Sequence, residues 1–158
     1  MLYASLKAVH LLAIIVWVGG MFFMIHCLRP AAAILEPPAR LTLLHATMRR
    51  FFAVVSVTVG VILLTGAAMI LMAWLASRRS NLLFNMPLDW YAMIGVFLVM
   101  VAVFAHIRLV LFRRLGEAVA AQRWPEGAAA AGAIRWEVMI NLVLGVFVVA
   151  LVRLGSAA

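Results

Sequence analysis

The sequence predicts an all-α integral membrane protein, a four-helix bundle that forms a single domain. Its 158 residues are 68% hydrophobic and 11% charged, a composition that soluble domains of this size do not have. Four stretches contain no Asp, Glu, Lys or Arg: Ala8–Leu28, Phe51–Ser77, Trp90–Ile107 and Val138–Val152. A helix that crosses the bilayer core needs about 17–25 residues. The first three stretches are long enough, and the fourth requires its flanking residues as well.

Taken in order, the spans are predicted at about 6–28, 51–77, 88–112 and 136–154, within one domain, 1–158. The first span contains Lys7 followed by an apolar run, an arrangement that resembles a signal peptide. The run is 21 residues long, whereas a signal h-region has about 7–15, so we expect the span to be retained as a helix. The fourth crosses the membrane when Trp136 and Arg153 lie at the two interfaces.

Helical spacing of apolar residues also predicts that the second and third helices extend beyond the membrane, over Leu41–Arg50 and Arg108–Gln122. The Ala- and Gly-rich stretch Gly127–Gly132 predicts a loop or a weak helix. Four polar residues inside the spans are expected to form hydrogen bonds across helices or to the backbone: Ser56, Thr58, Thr65 and Asn141.

The net charge of +8 comes from basic residues at helix ends, which favours a topology signal and lipid contact over a nucleic-acid partner. The side of the N-terminus carries Lys7, Arg78, Arg79 and Arg153. The other side carries nine arginines: Arg29, Arg40, Arg49, Arg50, Arg108, Arg113, Arg114, Arg123 and Arg135. The positive-inside rule therefore places both termini in the periplasm, with the protein in a bacterial inner membrane.

The four histidines divide by depth. His10 comes three residues after Lys7 and lies near the periplasmic side, whereas His26, His45 and His106 each shortly precede an arginine of the cytoplasmic side. At a rise of 1.5 Å per residue, about 24 Å separates His10 from His26. One ligand cannot bind both histidines, so a single four-histidine metal site is excluded.

Sulfur ligands close to these histidines indicate Cu(I), which soft thioether and thiolate groups select and which imidazole also binds. His10, Trp17, Met21 and Met24 recur near whole helical turns and share one face of the first helix. Met21, Met24, His26 and Cys27 place four such ligands within seven residues. We predict a copper route along His10, Met21, Met24 and Met93, with an inner-face exit site of His26, Cys27, His45 and His106.

The alternative is haem b, because His/His or His/Met pairs between helices bind haem iron. The outer pair is His10 with Met93, and the inner pair is His106 with His45 or His26. Arginines then bind the propionates: Arg40, Arg49 and Arg50. The sequence has no nucleophile–base pair, phosphate loop or paired intramembrane carboxylate, so a role other than catalysis is expected, while a cytochrome b-like or HemJ-like membrane oxidoreductase that uses the haem stays the alternative. Methionine also packs apolar cores, and a scaffold without a ligand stays open.

Several short motifs resemble the CopD (copper resistance protein D) family. Leu6-Lys-Ala-Val-His10 with Trp17-Val-Gly-Gly20 is similar to its opening helix, and Arg49-Arg-Phe51, Ser56 and Leu63-Leu-Thr-Gly66 are similar to the next. Ala105-His-Ile-Arg108, Ile134-Arg-Trp-Glu137 and Asn141-Leu-Val-Leu-Gly145 fit the remainder. The resemblance implies copper tolerance through Cu(I) transfer across or within the membrane, with a periplasmic copper-binding partner. Assembly into a homo-oligomer stays open.

The N-terminal segment also resembles a second family. Met1-Leu-Tyr and Leu6-Lys-Ala-Val-His10 are similar to the start of HemJ, the haem-containing protoporphyrinogen oxidase. This resemblance implies that His10 is a haem ligand. HemJ has an intramembrane lysine early in its third helix, whereas this chain has no lysine after Lys7 and places Met93 or Ile94 near that position.

Overall fold

The computed structural model describes residues 1–155, with side chains for residues 1–151. Nearly all of this range is helical, and no strand occurs in it. We label the long helices α1 (Leu2–Ala32), α2 (Pro37–Arg79), α3 (Leu88–Ala120) and α4 (Trp124–Gly155). Each is long and apolar enough to cross a membrane. The predicted all-α membrane bundle is therefore confirmed, while the bounds of the spans within the helices stay predictions.

Short connections make consecutive helices antiparallel. α1 packs along α2, α3 packs along α4, and α4 returns to contact both α1 and α2. α2 meets α3 mainly through the last segment of α3, Phe112–Ala120. The bundle is consequently closed by all four helices at the arginine-rich end, where the predicted inner-face residues lie.

Aromatic rings fill the middle of the core. Trp17 on α1 contacts Phe97 and Phe104 on α3 edge to face, each at a centroid distance of 6.2 Å. Phe52 on α2 contacts Phe104 and Phe112 in the same geometry, at 5.8 and 5.2 Å. Edge-to-face contacts of this kind add to area burial. They join α1, α2 and α3 around one core, while large aliphatic side chains cover the outside, as expected of a surface in contact with lipid.

The structure extends α2 and α3 beyond the predicted spans, as the helical spacing predicted. α2 alone has 43 residues, or about 65 Å of helix, far more than a bilayer core needs. The stretch 127–132 is regular helix within α4, so the loop alternative is wrong. The reason is close packing at Gly127, where a Cβ would lie 3.2 Å from Leu41 Cδ1 and 3.7 Å from Ala118 Cβ.

Two π-helical turns interrupt α1 and α3, at Met24–Leu28 and Ile107–Leu111. The sequence did not predict them. π-turns are often found at functional sites because the extra residue in the turn changes which side chains face inward. In α1 the turn buries Met24 and Ile25 together, and it leaves the next two residues, His26 and Cys27, exposed.

The predicted bonding of the polar residues inside the spans is confirmed. Ser56 and Thr58 donate to the carbonyl oxygens of Phe52 and Val54, one turn earlier. Asn141 Nδ2 donates across the helix pair to Met100 O at 3.0 Å. Such bonds satisfy polar groups that lipid cannot satisfy. The side chain of Arg153, predicted at an interface, lies outside the described residues.

Candidate functional site

His10 is a buried polar side chain on the inward face of α1, with 8% of its surface exposed. Its Nδ1 lies 2.8 Å from Thr65 Oγ1 on α2. The ring also lies against Gly66, where a Cβ would meet His10 Cε1 at 3.5 Å, an ordinary van der Waals contact. The two helices therefore hold this imidazole in one orientation at the end of the bundle opposite the arginine-rich end.

The hydrogen bonds of Thr65 favour one tautomer of His10. Thr65 Oγ1 donates its only hydrogen to Val61 O, at 2.6 Å. It can then only accept a hydrogen bond from the ring, so Nδ1 of His10 carries the proton. In the neutral imidazole, the lone pair of Nε2 is left for a ligand.

Four methionines from three helices are buried in the same core cluster: Met21, Met24, Met48 and Met100. Two belong to the predicted inward face of α1, and the buried set on that helix is His10, Ala13, Trp17, Met21 and Met24. α2 contributes Met48 and α3 contributes Met100. We call these four side chains the methionine column.

One part of the methionine column surrounds Gly145 of α4. A Cβ on Gly145 would lie 3.2 Å from the Met100 methyl carbon and 3.9 Å from that of Met21. The two thioether side chains therefore approach the same point. One turn away, Asn141 is 1% exposed, and its Oδ1 accepts no hydrogen bond from any described residue. A buried acceptor without a donor destabilises a core, so this oxygen requires an explanation.

The other part of the column borders a cavity of about 20 Å³. Met24 and Met48 line it from α1 and α2, together with aromatic and aliphatic side chains and with Arg29 and Arg135. A cavity needs only about 10–15 Å³ to hold one water molecule. The cavity that Met24 and Met48 help to line is accordingly large enough for one small ligand.

The four predicted inner-face ligands lie on separate surfaces. The exposed His26 ring lies tilted against Phe22, with the ring centroids 4.7 Å apart, and Cys27 is exposed beside it. His45 stacks on Phe112 at 4.9 Å. Nδ1 of His106 pairs with the Glu137 carboxylate at 2.9 Å. Within residues 1–151, no three His, Cys, Asp or Glu side chains are grouped to hold a metal ion.

The remaining predicted residues also lie apart. Met93 is half-buried on α3, whereas the described contacts of the His10 ring are with α2. Arg49 and Arg50 are exposed and line neither of the two described cavities. Neither of these two cavities is lined by a histidine.

Sequence reasoning missed Met48, Met100 and the orphaned oxygen of Asn141. Met48 could have been found from the regular apolar face of α2, which is buried at Leu41, Leu44, Met48, Phe52 and Val55. Met100 is the only residue of Leu88–His106 buried to this extent, and no local pattern distinguishes it from the apolar residues around it.

The comparison with protein families shows to which family the chain belongs. The family model of copper resistance protein D, CopD, matches residues 45–154, more than half of the chain. The chain belongs to the CopD family. The matched part of this CopD chain begins at His45 and leaves out α1, so the resemblance of residues 6–20 stays a prediction. Comparisons with curated proteins and with solved structures found no match.

Membership makes this CopD chain a multi-pass membrane protein of a copper resistance family. The resemblance to HemJ and the haem alternative find no support in the match. Of the two chemistries predicted from the residues, copper is the one that the family match supports.

Proposed function

We propose that this CopD chain transfers Cu(I) through its bundle, between His10 and the cavity beside Met24 and Met48, and so contributes to copper tolerance. The methionine column carries this proposal. Thioethers are soft ligands that select Cu(I), and the imidazole Nε2 of His10 suits the same ion. Copper is here the cargo of the protein and moves from one ligand to the next.

Packing alone does not account for the column. Methionine fills irregular gaps in cores, yet Met24 and Met48 border an unfilled space. The orphaned Oδ1 of Asn141 adds a second observation, because it places partial negative charge in an otherwise apolar core, on the amide whose Nδ2 bonds to Met100 O. A passing cation or its bound water gives this oxygen a partner.

The charges around the cavity favour passage over storage. Arg29 and Arg135 line the same space as the two thioethers. Positive charges repel a cation strongly in surroundings of low dielectric constant. Cu(I) held there by two neutral sulfurs is therefore bound weakly, which suits release. The separately placed His26, Cys27, His45 and His106 then act as single acceptors around this end of the bundle, and half-buried Met93 acts as a further ligand on α3 near the His10 end.

The distribution of positive charge supports one orientation of this CopD chain in the membrane. Nine of the Lys and Arg residues lie toward the end with the cavity and four toward the end with His10, so we place His10 on the periplasmic side of the bacterial inner membrane and both termini in the periplasm. A periplasmic copper-binding partner would then meet the chain near His10. A reporter fused after Ala158 tests this: activity restricted to the cytoplasm contradicts the orientation.

The transfer itself is tested in proteoliposomes. The full chain is reconstituted with a Cu(I)-chelating dye inside the vesicles, and uptake is followed under anaerobic, reducing conditions. The doubly substituted Met24→Leu, Met48→Leu chain keeps the apolar volume because leucine and methionine are similar in size. We expect it to lose Cu(I) uptake. Met139→Leu is the matched control, since Met139 packs against the core from α4 but does not line the cavity.

Two results would overturn the proposal. One is a wild-type rate no faster than that of empty vesicles. The other is unchanged uptake by the double variant with its helical circular dichroism intact. A loss that Met139→Leu reproduces equally would attribute the effect to core packing and would also contradict a ligand role.

A further inference from the structure

A larger cavity opens beside the methionine column at the arginine-rich end. Its volume is about 380 Å³, and it lies where the end of α1, the start of α2 and the start of α4 meet. Each of these helices contributes one arginine to its lining: Arg29, Arg40 and Arg135. We call it the arginine pocket.

The three guanidinium groups have no acidic partner. The ion pairs of the described residues join His106 to Glu137, Arg113 to Glu117 and Arg123 to Glu126. Within that part of the chain, no carboxylate oxygen lies within 4.0 Å of a nitrogen of Arg29, Arg40 or Arg135. The positive charges of Arg135 and Arg40 moreover act on Arg29. Three cations brought together without a carboxylate repel one another, and the cost is offset when an anion binds between them.

One of the arginines is already fixed in place. Arg29 Nη1 donates to Ala131 O on α4 at 2.8 Å, which holds this half-buried side chain across two helices. A guanidinium has five N–H donors. Arg40 and Arg135 donate no side-chain hydrogen bond to any described residue. Most donors of the pocket are thus left for a ligand.

The rest of the lining is apolar. Part of its wall consists of side chains that are at most 3% exposed: Leu41, Leu44 and Ala131. Trp136, which follows Arg135, is 69% exposed, as is typical of tryptophan at a membrane interface. The pocket therefore combines planar cationic donors with apolar walls at the depth where lipid headgroups lie, and basic pockets between transmembrane helices bind such headgroups.

We propose that the arginine pocket binds a phosphate group, with Arg29, Arg40 and Arg135 as its donors. Arginine forks match phosphate oxygens in pairs, and this gives geometric specificity as well as charge. The phosphate belongs either to an anionic phospholipid or to free inorganic phosphate. Phosphate binding does not require Cu(I) transfer. Arg29 and Arg135 also line the cavity beside Met24 and Met48, whereas Arg40 lines only the arginine pocket.

Binding is measured on the full chain in nonionic detergent by native mass spectrometry. The probes are phosphatidylglycerol, with phosphatidylcholine as the neutral lipid, and inorganic phosphate. We expect Arg40→Gln and Arg135→Gln each to weaken binding by about tenfold or more, the loss of a charge-assisted hydrogen bond. Arg50→Gln is the matched control, because Arg50 is exposed on the same end of α2 but does not line the pocket. Neither test variant disturbs the bond between Arg29 and Ala131.

Preferential uptake of phosphatidylglycerol that millimolar phosphate does not displace identifies the lipid as the source. Binding of phosphate alone, with the same dependence on Arg40 and Arg135, identifies the free anion. Both results support the pocket. Equal loss in Arg50→Gln would assign the effect to the general surface charge and overturn the proposal, as would the absence of binding by both probes.

Discussion

Nδ1 of His10 lies 2.8 Å from Thr65 Oγ1, and Thr65 passes its own hydrogen to Val61 O at 2.6 Å. The relay runs from α1 into the backbone of α2 and leaves Nε2 of the ring as the atom with a lone pair. This arrangement favours Nδ1 as the protonated nitrogen of His10. A threonine hydroxyl has one hydrogen, and once that hydrogen is donated to Val61 O the hydroxyl can only accept from the ring.

Thr65→Val keeps the shape of the side chain and removes the acceptor. The Nδ1 hydrogen of His10 then loses its hydroxyl acceptor, which costs about 1–3 kcal/mol in the free energy of unfolding. Titration with a denaturing detergent measures this loss. Thr65→Ser keeps the hydroxyl and is expected to retain the relay. Nitrogen NMR of the labelled histidines provides a second measurement. We expect His10 to remain the Nδ1–H tautomer in the serine variant. If His10 is also entirely the Nδ1–H tautomer in the valine variant, Thr65 does not set the tautomer and the assignment is contradicted.

Asn141→Leu separates stability from transfer. The substitution removes the orphaned Oδ1 along with the bond from Nδ2 to Met100 O. Replacing a partly satisfied buried amide by an apolar group of similar size is expected to leave the free energy of unfolding unchanged or higher. Cu(I) uptake into proteoliposomes is expected to fall. An uptake equal to that of the wild type would show that this oxygen has no role in transfer.

Gly145→Ala tests the close approach of α4 to α1 and α3. The new Cβ would lie 2.9 Å from Val18 Cγ2 and 3.2 Å from the Met100 methyl carbon. Valine is stiff at χ1 and cannot move aside easily, so we expect a loss of about 1–3 kcal/mol in the free energy of unfolding. Gly95→Ala on α3 is the control, since nothing lies within 4 Å of its Cβ position. Equal changes in the free energy of unfolding for Gly145→Ala and Gly95→Ala would mean that helix propensity, and not close packing at Gly145, causes them.

His45 lies outside the predicted span at 51–77, and it makes stability depend on pH. Burial, and then the charge of Arg49, lower the pKa of His45 from its ordinary value of 6.5. The unfolded chain therefore takes up this proton first as the pH falls. The neutral His45 ring makes its full contribution to the free energy of unfolding above pH 6.5. This contribution is lost progressively as the pH falls from 6.5 toward the lowered pKa of the folded chain.

Denaturation of the wild type and His45→Gln at several pH values measures this effect as a difference between the two chains. The other histidines are common to both proteins and cancel. We expect the difference to shrink below pH 6.5. A difference that stays constant with pH would contradict the lowered pKa.

The sequence by itself determined the number and approximate extent of the helices, the charge asymmetry, the separation of His10 from the other histidines, and the inward face of α1. All of these follow from properties local to one helix: its apolar length, its flanking charges and a repeat of 3.6 residues per turn. The buried set from His10 to Met24 therefore agrees with the predicted face.

Only the tertiary structure decided which side chains of different helices meet. The rotation and register of each helix depend on its packing against its neighbours, and short-range spacing does not record them. For this reason Met48 and Met100 join the column, Arg29 and Arg135 meet Arg40 in one pocket, and His106 pairs with Glu137. The π-turn at Met24–Leu28 likewise lies within this packed end of the bundle, where Ile25 is buried next to Met24 while His26 and Cys27 stay exposed.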